Sequence, residues 1–377
     1  MFIGTVELDD LRNIVNDKLR QNANIRTEML SLIDSGEAIA FVGAGLGVPL
    51  EYPSWPDLLN ELNAEAQKLE AFTISAEIGE DYLKRADAIK EHFRSHESIH
   101  LYQQLLGRRF GPRASGCTET HKLLAGLPFR GFATTNYEPA VEIALQSAST
   151  VVCPDHGIIV KMDGKDRHLV STFLRSLTDG NIGPRFVAHL HGRYTDTENI
   201  ILTEKDYEVA YGLVGPTDAT PRTKEVTLHR QLAWALFATR RIVFVGCSMY
   251  DPYIRALLDA VARDLWETLE KSHFVILPIG SGDVESAESV MAKFGRYGLR
   301  VVYYDNLDGK HTGLDQLLNE AAARCSASRK ALPTAKATAS PVSTAGPAAG
   351  GIPPGTSVSA DWLDEVNERN APKSEPD

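Results

Sequence analysis

The sequence predicts an α/β fold: a largely parallel sheet with helices on both faces, a smaller helical module, and a disordered C-terminal tail. Three observations predict it. Short apolar runs that read as buried strands alternate with segments of helical period. Four of these runs end in glycine-rich or polar clusters, at the carboxyl ends where parallel sheets bind ligands. Composition also changes abruptly near Cys325, beyond which little remains to bury.

An N-terminal helical segment is expected over 1–29, ahead of a main domain over 30–325. The first strand, Ala38–Val42, runs into Gly43-Ala44-Gly45. Glycines there permit a tight turn and close approach to a pyrophosphate, met by backbone N–H groups and a helix N-terminus. Val48 replaces the third glycine of GxGxxG, and a plain turn accounts for the same residues. Ser54-Trp55-Pro56-Asp57 then opens a helix over Pro56–Leu69, with Ser54 as N-cap and Pro56 in the first turn. Trp55 is assigned to core packing. The segments at about 70–130, 150–185 and 205–230 are richer in helix and loop, and are expected to form the smaller module or lids.

Strand Gly131–Thr134 delivers Thr135-Asn136-Tyr137 ahead of a helix over Pro139–Gln146. An Asn amide is both donor and acceptor, so it can hold a ribose hydroxyl and orient a water. An ordinary Asn turn is the alternative. Strand Phe186–Leu190 closes at His191-Gly192, where an imidazole of ordinary pKa about 6.5 suits proton transfer near neutrality. His189 is read as structural. After a helix over Val226–Thr239, strand Ile242–Val245 meets Gly246-Cys247-Ser248, and Asp251-Pro252 caps a helix over Pro252–Leu269. Strands Phe274–Pro278 and Val301–Tyr304 and a helix over Gly313–Arg324 complete the domain. The remainder, 326–377, is expected to be a disordered linker and tail with a possible docking segment at 361–369, where Trp362, Leu363 and Val366 share one helical face.

Bulk properties exclude several classes. A net charge of -11 argues against a broad nucleic-acid surface. No apolar run is long enough to span a bilayer, and the first residues lack the basic and apolar parts of a secretory signal, so a cytoplasmic protein is expected. The four cysteines, Cys117, Cys153, Cys247 and Cys325, form no CxxC pair for zinc.

Taken in order, Gly43-Ala44-Gly45, Thr135-Asn136-Tyr137, His191-Gly192 and Gly246-x-Ser248-x-x-Asp251 resemble the sirtuin superfamily. The TTNY form and Pro53-Ser54-Trp55 resemble its bacterial branch in antiphage defence. The resemblance covers about 30–325 and implies a Rossmann-like domain with NAD as substrate and no zinc. By resemblance, Gly43, Ala44 and Gly45 cradle the NAD phosphates. Thr135 is among the residues that bind NAD, Asn136 holds the nicotinamide ribose and the attacking water, and His191 is the general base. Gly246 and Ser248 serve the adenosine side; Asp251 fits the motif, although helix capping explains it as well. Gly47 departs from the pattern, since many relatives have serine there.

The activity so implied is NAD glycohydrolysis to nicotinamide and ADP-ribose, depleting NAD as an antiphage effector. The alternatives are an NAD-dependent deacylase or ADP-ribosyltransferase, and a non-catalytic NAD-binding sensor. Restraint of such an activity implies a homo-oligomer or a separately encoded ring-forming ATPase partner.

Overall fold

Two helices, α1 (Leu8–Gln21) and α2 (Ala23–Asp34), lead into β1 (Ile39–Val42). Three more follow: α3 (Trp55–Leu69), α4 (Tyr82–Ser95) and α5 (Ile99–Phe110). Next come α6 (Glu119–Gly126), β2 (Gly131–Thr134), α7 (Ala140–Ala148), β3 (Gly157–Ile159), α8 (Arg167–Ser176) and β4 (Val187–His189). The chain continues through α9 (Glu204–Tyr211), α10 (Leu228–Thr239), β5 (Ile242–Val245) and α11 (Pro252–Leu265). It ends its regular structure with β6 (His273–Ile279), α12 (Ala287–Gly295), β7 (Leu299–Asp305) and α13 (Thr312–Ala331). The structure, a computed structural model, describes residues 8–79, 81–148, 157–159, 167–178, 185–212, 227–249, 251–265, 273–280 and 287–331.

The strands form one parallel sheet in the order β3-β4-β2-β1-β5-β6-β7. From β1 at its centre the chain builds to one side through β2, then returns to build the other through β5. The strand order therefore reverses at β1, where open α/β sheets bind ligands.

Strand alternation buries both faces. Ile39, Phe41, Ile242 and Phe244 join a core with α10 and α11 residues such as Leu236, Phe237 and Leu257. Ala40, Val42, Val243 and Val245 join the opposite core with Ile33 of α2, Leu124 of α6, Leu145 of α7 and Leu317 of α13. A third cluster builds the smaller module from Leu58, Leu62, Ile89, Phe93 and Leu106, and it admits Tyr137 and Leu202 from the sheet domain. The module thus consists of α3, α4 and α5, whereas α6 covers the sheet.

Three boundaries differ from expectation. β3 falls in a segment read as helix and loop, because three residues are too few to show a period. Residues 326–331, expected to begin the tail, instead continue α13, which runs to Ala331, and the rest of the expected tail lies outside the described residues. Ala, Arg and Lys sustain that helix, and Ser328 donates to Asp34 of α2 at 2.6 Å. The proposed docking segment 361–369 lies outside the described residues. At the other end, α1 and α2 belong to the same compact unit, Met1–Leu332, as the sheet. Asn22 between them donates Nδ2 to the Val301 carbonyl at 2.7 Å and accepts the Tyr303 N–H at 3.1 Å. Its amide thereby pairs with edge strand β7 as one residue of a further strand would.

Candidate active site

Register brings the four clusters to one edge. Val42 of β1 pairs with Thr134 of β2 and Val245 of β5, and Thr134 pairs with His189 of β4. Gly43 and Gly246 are consequently one residue beyond a shared rung, and Asn136 and His191 two beyond it.

The glycine turn and the Gly246 loop interlock. Gly43 donates to the Val245 carbonyl and Gly45 to the Gly246 carbonyl, each at 2.9 Å. A Cβ at Gly43 would lie 2.5 Å from that Gly246 oxygen, and one at Gly45 2.8 Å from it. Contact between the loops is therefore sufficient reason for both glycines. Ala44 and Gly45 are exposed. The expected helix N-terminus is only a short 3-10 turn, Ala44–Leu46. Gly192 has a similar explanation: φ is +86°, and a Cβ would lie 2.5 Å from the Asn199 carbonyl oxygen.

Asn136 is buried at 6% exposure. The Thr134 hydroxyl donates to the Val42 carbonyl and accepts the Asn136 N–H at 2.9 Å, fixing the turn. Asn136 Nδ2 donates to Glu138 Oε1 at 2.7 Å, while Asn136 Oδ1 is buried with no hydrogen-bond partner among the described residues. Thr135 beside it is half-buried. Burial pushes Glu138 up to about 7, against the lowering effect of its hydrogen bonds. Glu138 also faces the glycine turn, its Oε1 lying 3.3 Å from where a Gly47 Cβ would be.

Beneath Asn136 lies a buried charged group. His189 donates Nδ1–H to the Asn136 carbonyl at 2.9 Å and Nε2–H to Glu142 Oε1 at 2.8 Å. Both nitrogens face acceptors, so the ring is an imidazolium. Burial works against that charge, but Glu142 outweighs it and raises the His189 pKa. Burial likewise opposes the Glu142 carboxylate, and His189 with Arg193, 3.1 Å away, holds it below its usual value. His189 is structural, as the sequence suggested, and it anchors the loop that carries Asn136.

His191 differs. It is 2% exposed, and burial pushes its pKa down to about 4, with Asp251 opposing. The ring is therefore neutral at pH 7, not poised near neutrality as an exposed imidazole would be. Tyr207 commits its hydroxyl proton to Asp251 Oδ2 at 2.9 Å, and its oxygen lies 3.4 Å from His191 Nδ1. Nδ1 must then donate, which leaves Nε2 as the acceptor for the Tyr211 hydroxyl at 3.0 Å. Asp251 both caps a helix and stands at the site. Oδ1 caps α11 by accepting the Tyr253 and Ile254 N–H groups, while Oδ2 stands 3.9 Å from His191 Nε2.

Ser248 is exposed at the end of β5 and borders a cavity, away from the Asn136 and His191 strands. Burial raises the Cys247 thiol well above its ordinary value. Among the described residues, Cys117, Cys247 and Cys325 are free thiols, and no cluster of three His, Cys, Asp or Glu side chains could hold a metal. No helix among them is long and apolar enough to cross a membrane.

Sequence reasoning missed Glu138, Tyr207 and Tyr211. The signals were an acid two residues past the asparagine in an otherwise apolar run, and a Tyr pair at helical i,i+4 spacing.

Comparison with known proteins finds similarity over the same part of the chain. Residues 130–301, which include Asn136, His191, Ser248 and Asp251, match the SIR2-like domain family. The chain is 26% identical over 249 residues to the NAD(+) hydrolase ThsA of Enterococcus faecium, covering 65% of this chain and 44% of that protein. It is 24% identical over 244 residues to the ThsA of Bacillus cereus strain MSX-D12, covering 64% and 43%. To the ThsA of Acinetobacter baumannii strain 532279 it is 22% identical over 277 residues, covering 70% and 49%. The chain thus spans less than half the length of these relatives. Residues 130–301, from β2 to β7, are therefore similar to a SIR2-like domain, and the parallel sheet they help to build is of the α/β kind.

Proposed function

We propose that the chain is an NAD glycohydrolase that cleaves the nicotinamide–ribose bond of NAD and depletes the cytoplasmic pool, as an antiphage effector. The observation that carries this reading is Asn136 Oδ1, a buried acceptor with no partner among the described residues, on a loop beside His191. A buried polar atom without a partner costs about 1–3 kcal/mol, which a bound hydroxyl or water would recover. The names of the three relatives support the same reading.

In the reaction, the bond between the ribose anomeric carbon and the nicotinamide nitrogen breaks, and its electron pair leaves with nicotinamide. Nicotinamide departs neutral and needs no general acid. The ribose passes through an oxocarbenium-like transition state. Asn136 Oδ1 accepts from the ribose or the water, and the water adds to the anomeric carbon. Its proton passes to His191 Nε2 through the Tyr211 hydroxyl, which already donates to that nitrogen. Water is consumed, and nicotinamide, ADP-ribose and a proton are released.

Asn136→Ala and His191→Ala are each expected to lower turnover by about 10²–10⁴-fold while the protein stays folded. Chromatography of the products checks this, and wild-type turnover by either folded variant refutes the assignment. Free ADP-ribose formed without an acyl-peptide separates hydrolysis from deacylation.

Control of this activity is proposed to lie in a homo-oligomer or a separately encoded ring-forming ATPase, with 361–369 as a contact. Deleting 326–377 tests that contact by size-exclusion chromatography. Assemblies that form unchanged would remove the tail from the proposal.

A further inference from the structure

We propose that the cavity beside Ser248 receives a phosphorylated adenosine ribose, so that the substrate class extends to the 2′-phosphorylated dinucleotide NADP. The proposal rests on the dinucleotide chemistry above and adds a determinant at the opposite end of the ligand.

The cavity holds about 220 Å³ at the carboxyl ends of β5 and β6. That is below the ~300–1,000 Å³ of pockets that enclose a whole ligand, so it suits one end of a longer molecule. Its place in the strand order fits such an end. Asn136 and His191 follow β2 and β4, the glycine turn follows β1, and the cavity lies beyond, at β5 and β6. Three strand spacings separate β2 from β6, about 14 Å, on the order of an extended dinucleotide's length.

The lining points to the chemistry. Lys18, Arg255 and Lys293 border the cavity, and no Asp or Glu is among its described lining residues, in a chain whose net charge is -11. Phe294 and Tyr297 give it apolar walls for a ribose or base. Arg255 Nε is buried without a hydrogen-bond partner among the described residues. Neither Arg255 nor Lys293 has an ion-pair partner among them. Dinucleotide sites meet a free ribose 2′-hydroxyl with a carboxylate and a 2′-phosphate with an arginine. Here the arginine is present and the described lining has no carboxylate. The planar fork of a guanidinium also matches phosphate oxygens in pairs, which an ammonium cannot do.

Two measurements test this. In the first, kcat/KM is measured for NADP and NAD with the full chain and with Arg255→Gln and Lys293→Gln. The wild type is expected to cleave both, and Arg255→Gln to lower the NADP-to-NAD ratio by about tenfold or more, the effect of losing a charged hydrogen bond. Arg255→Lys, which keeps the charge and loses the fork, should fall between, and thermal melting checks that each variant folds. In the second, 2′,5′-ADP and 5′-AMP, neither of which carries a nicotinamide–ribose bond, are titrated by calorimetry into the full chain. The 2′-phosphate is expected to tighten binding by about tenfold, and Arg255→Gln to erase the difference.

Equal affinity for the two nucleotides, or an NADP-to-NAD ratio unmoved in a folded Arg255→Gln, overturns the site. Selective binding of 2′,5′-ADP by a protein that cleaves neither dinucleotide overturns the glycohydrolase reading and upholds the site.

Discussion

Asn136 divides its amide between two tasks. Nδ2 is committed to Glu138 and Oδ1 is left for a ligand, so the carboxyl sets which way the amide faces. A carboxylate accepts this hydrogen bond more strongly than a carboxylic acid does. Burial places the change near neutrality, at about 7. As pH rises through that value Glu138 ionises and the Asn136 rotamer is held more firmly, so kcat is expected to rise. Glu138→Gln keeps an acceptor that cannot ionise. Its pH–rate profile should lose this limb and lie about tenfold below the wild-type plateau, the worth of one charge-assisted bond. An unaltered profile would show that another group governs the site.

The elements that hold His191 raise a different question, because α9 is anchored from outside the sheet. Lys90 of α4 meets Asp206 of α9 at 2.7 Å, with side chains 16% and 11% exposed. Asp206 also accepts the Thr203 N–H at 3.1 Å in the capping box that starts the helix. Tyr207 and Tyr211, one and five residues on, are the groups that touch His191. Lys90→Met should therefore destabilise the protein by about 2–3 kcal/mol, between exposed and fully buried ion pairs, and lower kcat by loosening α9. Adding Asp206→Asn to Lys90→Met removes the stranded charge and should recover part of the stability in urea unfolding. No recovery would mean that the pair is not the anchor. This arrangement also marks what was legible in the sequence. β2 and β5 have the expected bounds because both faces are buried, leaving uninterrupted apolar runs closed by polar residues. Asn136 and His191 were visible because each terminates such a run. The grouping of α3 with α4 and α5, and the placing of a Tyr pair over His191, depend on contacts between distant segments. Local period carries no trace of those.

Across the whole molecule, three buried histidines share one electrostatic condition. Burial lowers His121 and His191 to about 4 and His273 to about 3, from 6.5. Each also uses a ring nitrogen as an acceptor. His121 Nδ1 faces the Thr118 N–H at 3.3 Å, His273 Nδ1 faces the Ile242 N–H at 3.3 Å, and His191 Nε2 faces the Tyr211 hydroxyl. Protonation would turn those acceptors into donors aimed at donors. The sign follows from linkage. Between about pH 6.5 and 4 the unfolded chain binds protons that the folded chain refuses, so stability falls as pH falls through that window. Glu138 acts oppositely: its folded value of about 7 exceeds the ordinary 4.5, so the folded state takes up its proton first and acid favours it there. The raised Asp87 and Glu204 add to that opposition. The His189 contribution is already complete below pH 6.5 and offsets nothing further. Moving one group's titration by a full pH unit on folding is worth about 1.4 kcal/mol, so three strongly depressed histidines outweigh one comparably raised carboxyl by several kcal/mol. That is a large part of the 5–15 kcal/mol that usually holds a domain folded. The urea midpoint is therefore expected to drop steeply between about pH 6.5 and 4.5. His121→Gln, which retains an acceptor for the Thr118 cap without the titration, should make the drop shallower. A midpoint that stays level across that range would show that the three rings are not held neutral.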